Sequence, residues 1–207
     1  MSSRRWLRTV GLIITGTVAS GIQSPVVASA MHMPAATAMA AASSQHRYVV
    51  PPITLIDQHG RKVRLDQALA GDKPALVQFF FTSCTTICDV RSAQLVAAAP
   101  QLLKANIDIG FYTITIDPDR DTPERLLAFS RQFGTPPPNW HLLTGSDANI
   151  RQVQAAFNAS DPSADKMMHE PLTFIRGGEG QPWRRIDEIV TTSELVKQIK
   201  EDVALAH

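Results

Sequence analysis

The chain has 207 residues, 44% of them hydrophobic and 19% charged, enough for one ordinary domain with a buried core and at most an appendage. Its formal net charge of +1 gives no electrostatic reason to expect nucleic acid or an anionic membrane surface as the main partner. There is no run of like charges and no Cys/His-rich tract, and only two cysteines are present, so any specific chemistry must rest on a few residues.

Residues 1–30 read as targeting rather than fold. Arg4, Arg5 and Arg8 form a basic head, Thr9 to Ile22 is an uncharged and mostly apolar stretch, and Ala28-Ser29-Ala30 is a small-x-small site, the layout of a secretory signal peptide. The 14-residue apolar stretch would make roughly 21 Å of helix, short of the ~30 Å hydrocarbon core. Cleavage after Ala30 is therefore expected, with an uncleaved anchor as the alternative. Export predicts a periplasmic protein, held at the inner membrane only if the leader is retained. In that setting thiols tend to be oxidised unless a reductase or a metal intervenes. Residues 31–47, "MHMPAATAMAAASSQHR", are Ala/Met-rich and aperiodic and read as a flexible tail. Met31-His32-Met33 could offer soft metal ligands, although Met in such a tail is usually filler.

From Tyr48 to the end, residues 48–207, a folded domain is expected. "ITLIDQHGRKVRL" alternates around Gln58-His59-Gly60 and predicts a hairpin. "PALVQFFF" (Pro74 to Phe81) is a continuous apolar run, as for a strand buried on both faces. "DVRSAQLVAAAPQLLKA" has helical composition, with Pro100 expected to kink or end the helix. Ile107 to Ile116 predicts a second buried strand, closed by "DPDRD", and Thr122-Pro123-Glu124 opens a helix that Gly134 closes. "HLLT" is a short strand before a helix capped at Ser146. "LTFI" and "WRRI" flank "RGGEGQ" as a hairpin, and Thr191 and Glu194 have capping-box spacing for the last helix. Alternating buried strands and helices predict an α/β sandwich with a largely parallel central sheet.

Both thiols, Cys84 and Cys88, fall in "FFFTSCTTICDV", where the buried strand turns into a helix. The carboxyl ends of strands in open α/β sheets are where ligands collect. A helix N-terminus favours thiolate, the form that attacks disulfides and binds metals. Residues four apart on a helix face the same way with Cβ atoms about 5–6 Å apart, compatible after small adjustment with a disulfide or with a shared soft cation. A staple closing so short a loop would stabilise little. A third ligand is needed before metal is favoured. His46, His59 and His207 read as exposed surface and His141 as packed, whereas His169, in "KMMHEPLTFI", precedes a buried strand that could lie beside the one ending at Phe81. Met167 and Met168 read as packing beside it.

Four segments in order, "ITLIDQHGRKVRLDQALAGDKPALVQFFFTSCTTIC", "TITIDPDRDTPERLLAFSRQFG", "WHLLTG" and "MMHEPLTFIRG", resemble the Sco/SenC family of exported, thioredoxin-like copper proteins. The resemblance implies a thioredoxin-like fold, a central mixed sheet flanked by helices with an N-terminal β-hairpin. It further implies that Cys84 and Cys88 are thiolate ligands and a redox pair, that His169 is the imidazole ligand, and that each monomer binds one copper, Cu(I) or Cu(II). Asp117 matches an aspartate at a strand end and reads equally as a turn residue. The implied role is a metallochaperone rather than a conventional enzyme. It would deliver copper to a respiratory oxidase subunit or another periplasmic copper or thiol protein, or keep the oxidase's copper-site thiols reduced. A metal-independent thiol-disulfide oxidoreductase is the alternative. Thr85 and Asp89 stand where the family commonly has prolines, and like-charge repulsion from Asp89 is expected to raise the Cys88 thiol.

Overall fold

The computed structural model describes residues 43–160 and 169–206. Strands β1 (Ser43–His46), β2 (Thr54–Asp57), β3 (Lys62–Arg64), β4 (Ala75–Phe80), β5 (Gly110–Thr115), β6 (Trp140–Thr144), β7 (Thr173–Arg176) and β8 (Trp183–Ile186) form one mixed sheet in the order β1-β8-β7-β4-β5-β6-β2-β3. Helices α1 (Leu65–Ala68), α2 (Cys88–Lys104), α3 (Pro123–Arg131), α4 (Asp147–Ala156) and α5 (Thr192–Ala204) cover both faces.

β4 lies near the middle of the sheet because both of its faces are apolar. Leu76 and Phe80 point into a core shared with α2, α3 and α5, while Ala75, Val77 and Phe79 point into a second core against α1 and α4. All six β4 residues are buried, as a continuous apolar run requires. β4, β5 and β6 run parallel, joined by crossovers through α2 and α3, and their carboxyl ends share one edge of the sheet. The other five pairings are antiparallel, so the sheet is largely parallel only in its central three strands.

Helix starts follow the capping signals. Thr122, Ser146 and Thr191 are extended N-caps whose side chains accept from the backbone N–H of Arg125, Asn149 and Glu194. The hairpin of β2 and β3 turns through Gly60 at φ +76°, a conformation that favours glycine.

Pro100 does not end its helix: α2 continues through it to Lys104. The ring is on the exposed side, where water can meet the Val96 carbonyl that lacks an N–H partner. Leu95, Ala98 and Leu102 remain buried on the other side and hold the helix down on both sides of the proline. β1 falls within the aperiodic stretch before Tyr48 and gains its order from outside itself, pairing antiparallel with β8 through Ser43↔Ile186 to His46↔Trp183. His46 is consequently half-buried rather than exposed, and its ring stacks on Tyr48 with centroids 5.5 Å apart. His59 is exposed, and His141 is packed, stacked on Tyr112 at 5.1 Å. The leader, the Met31-His32-Met33 ligand set, Met167, Met168 and His207 lie outside the described residues. Among the described residues no helix is long and apolar enough to cross a membrane.

Candidate metal and thiol site

The chain leaves β4 through a tight turn, Phe81 to Cys84, closed by the Cys84 N–H donating to the Phe81 carbonyl at 3.2 Å. α2 begins only at Cys88, so Cys84 is in the turn and not on the helix. The two thiols therefore do not meet as i and i+4 on a helical face. They meet because the loop folds Cys84 back over the first turn of α2. Both are free and buried, Cys84 at 6% exposure and Cys88 at 1%.

This arrangement splits their acidity. Burial works to raise the Cys84 thiol, yet it is held below its ordinary value. Hydrogen bonds from the Cys88 and Thr86 side chains and from the backbone of Thr86 and Cys88 favour the thiolate and outweigh burial. The Thr86 hydroxyl lies 3.5 Å from the Cys84 sulfur. Cys88 goes the other way, pushed up to about 12, first by burial and then by donating its S–H to Cys84. The expected direction for Cys88 is thus observed with a different leading cause: Asp89 is exposed in the first turn of α2, and burial dominates.

His169 comes to the same end of β4. β7 pairs antiparallel with β4 through Gln78↔Thr173, and following that offset backward carries the chain to His169 beside the residues just past Phe80. Its half-buried ring lies 6.5 Å from that of Phe81, centroid to centroid. Among the described residues no three His, Cys, Asp or Glu side chains converge as a ready metal cluster. The donor chemistry nonetheless fits a soft cation: two sulfurs in mutual contact, one favouring thiolate, and an imidazole in the segment that leads into the adjoining strand.

Three further residues shape the site. Asp117 is a turn residue, buried and paired with Arg120 at 3.3 Å. Asp121, four positions on, reaches the thiol turn instead: it accepts from the Thr82 N–H at 3.0 Å and hydroxyl at 2.5 Å, and from the Thr115 hydroxyl. Nothing local in "DPDRD" singles it out, since the contact spans 39 residues. Arg91 is buried one turn into α2 and donates to the Phe79 carbonyl, the Leu172 carbonyl and the Thr173 hydroxyl. It did carry a sequence signal, as a cation on the apolar stripe formed by Cys88, Leu95, Ala98 and Leu102.

A buried thiol pair at the carboxyl end of a parallel strand, beside the start of the next helix in a mixed sheet covered on both faces, defines a thioredoxin-like α/β protein. Residues 41–204 match the SCO1/SenC family, and the chain belongs to that family. It is 28% identical over 160 residues to the SCO1 protein homolog of Bacillus subtilis, covering 74% of this chain and 82% of that one. Its fold matches BsSco, described as having a disulfide switch and as a member of the Sco family of cytochrome c oxidase assembly proteins. That match has a TM-score of 0.65 and 26% identity, covering 78% of this chain and 97% of that one. It also matches Bradyrhizobium japonicum ScoI with copper bound, at a TM-score of 0.61 and 25% identity, covering 74% and 99%.

Proposed function

We propose that this protein is an exported copper carrier that takes the ion through Cys84, Cys88 and His169. It would deliver copper to the copper centre of a respiratory oxidase, or keep that centre's thiols reduced. The observation that carries the reading is the convergence on the end of β4 of two touching thiols and, from the segment that leads into β7, an imidazole against Phe81. Copper is the cargo, and only the reduced thiols can take it, so loading and thiol redox state are coupled. A copper-bound relative supports the choice of copper as the ion by likeness. The leader-like residues 1–30 support export.

Anaerobic titration of the reduced full chain with Cu(I) against a competing chelator tests the proposal. One tightly held ion is expected. Cys84→Ser and Cys88→Ser each abolish tight binding, and His169→Ala weakens it by tenfold or more. Indifference to His169→Ala rejects the three-ligand site.

A second reading, metal-independent thiol-disulfide exchange, is favoured by one observation, the opposed acidities of the two thiols. An attacking Cys84 thiolate beside a protonated Cys88 is the division of labour that exchange needs. Reduction of a protein disulfide without copper, lost in Cys84→Ser and intact in His169→Ala, would favour this reading over the first.

A further inference from the structure

Arg91 is a guanidinium at 5% exposure whose three acceptors are all neutral: the Phe79 carbonyl at 3.3 Å, the Leu172 carbonyl at 2.5 Å and the Thr173 hydroxyl at 2.8 Å. Among the described residues no carboxylate forms an ion pair with it. Glu188 lines the same small cavity, about 10 Å³. A buried cation without a carboxylate is costly to maintain, and Cys88, a side chain able to carry negative charge, is buried on the same face of α2 one turn before it.

The three acceptors have a common position. Phe79 is on the strand that leads into Cys84, Arg91 is three residues after Cys88 on α2, and Leu172 and Thr173 follow His169 by three and four residues. One side chain therefore ties together the strand before Cys84, the helix that begins at Cys88 and the segment that follows His169. An arginine suits this task because its planar fork can donate to several acceptors at once.

We propose that Arg91 is a positioning residue that clamps the His169 segment to the thiol turn, and that its charge balances the site when it holds two thiolates and Cu(I). The charge half rests on the copper reading above; the clamp half does not. Two thiolates and Cu(I) sum to −1, which Arg91 brings to zero. With Cu(II) the ligand set sums to zero and Arg91 leaves +1 in a buried place. The charge of Arg91 thus favours the reduced ion.

The test compares wild type with Arg91→Lys, which keeps charge but loses the fork, and with Arg91→Met and Arg91→Gln, which lose charge. In the reduced, copper-free full chain, amide hydrogen exchange is read at residues 172–174 and at 111–114 in the core of β5. Faster exchange by tenfold or more at 172–174 with 111–114 unchanged supports the clamp. Unchanged exchange, or equal acceleration at both places, overturns it. Cu(I) and Cu(II) affinities are then measured by chelator competition. A tenfold or greater loss for Cu(I) in the neutral variants, with a smaller loss for Cu(II) and with Arg91→Lys within about threefold of wild type, supports the charge role. Equal losses for both ions, or a lysine variant as weak as the methionine one, overturn it. If neither neutral variant folds, Arg91 belongs to the general framework and the charge role is overturned, while exchange in Arg91→Lys still decides the clamp. If wild type binds no copper, the copper reading fails and the exchange comparison still reads the clamp.

Discussion

Thr82 and Asp121 are joined twice. The Thr82 backbone N–H donates to one carboxylate oxygen at 3.0 Å and its hydroxyl to the other at 2.5 Å, while the Thr115 hydroxyl donates to the first. Asp121 is 1% exposed, so these are charge-assisted bonds sheltered from water, and they fix the turn that presents Cys84. Asp121→Asn replaces one acceptor with a donor that faces donors. It should destabilise the protein by about 1–3 kcal/mol and speed alkylation of Cys84 by loosening the turn. Urea unfolding and labelling kinetics check both; a variant as stable and as slowly labelled as wild type would show the bonds to be dispensable.

The opposed acidities of the thiols predict an order of reaction. Thiolate is the nucleophile, Cys84 is held toward it and Cys88 away from it, and Cys84 is the more exposed of the two. Iodoacetamide at about pH 7.5 should label Cys84 well before Cys88, read by peptide mass spectrometry of the reduced protein. Labelling of Cys88 first would contradict the geometry of the turn.

Pro100 sits thirteen residues into a helix of 17, on its exposed side. Replacing it with alanine restores an N–H for the Val96 carbonyl and removes the ring's clash with the preceding turn. Pro100→Ala should stabilise the protein by about 1–3 kcal/mol without touching the thiols. A denaturation midpoint that fails to rise would mean that α2 has adapted fully to the proline.

His141 gives a pH dependence with a definite sign. Burial disfavours its imidazolium and is the leading cause of a folded-state pKa below the ordinary value, with Asp57 opposing it only in part. The unfolded chain therefore binds the proton more readily. Stability from this group is present above its unfolded value of about 6.5 and is lost as pH falls. Wild type should lose more stability than His141→Gln between about pH 7.5 and pH 5. Parallel losses in the two proteins would remove His141 from the acid response.

Much of this architecture was legible along the chain because its causes are local. The run Ala75 to Phe80 needs no partner to be read as a doubly buried strand, and Thr122, Ser146 and Thr191 cap the helices that follow them. Their bonds span only three residues, and apolar periodicity is a property of consecutive positions. The motifs around Cys84, Cys88 and His169 were enough to imply the family for the same reason.

The tertiary structure decided what depends on pairing between distant segments. It made β1 a strand by giving it β8, and kept α2 intact through Pro100 by burying Leu95 and Leu102 on the core. It also brought Asp121 to Thr82 and Arg91 to Leu172 and Thr173, across 39, 81 and 82 residues. The cysteines show the division most plainly. Sequence placed two thiols where a strand becomes a helix, but their difference in acidity comes from a loop that lays one over the N–H groups at the helix start and seals the other in the core. Burial and hydrogen-bond direction are set by how the chain folds back on itself, and four-residue spacing alone does not contain them.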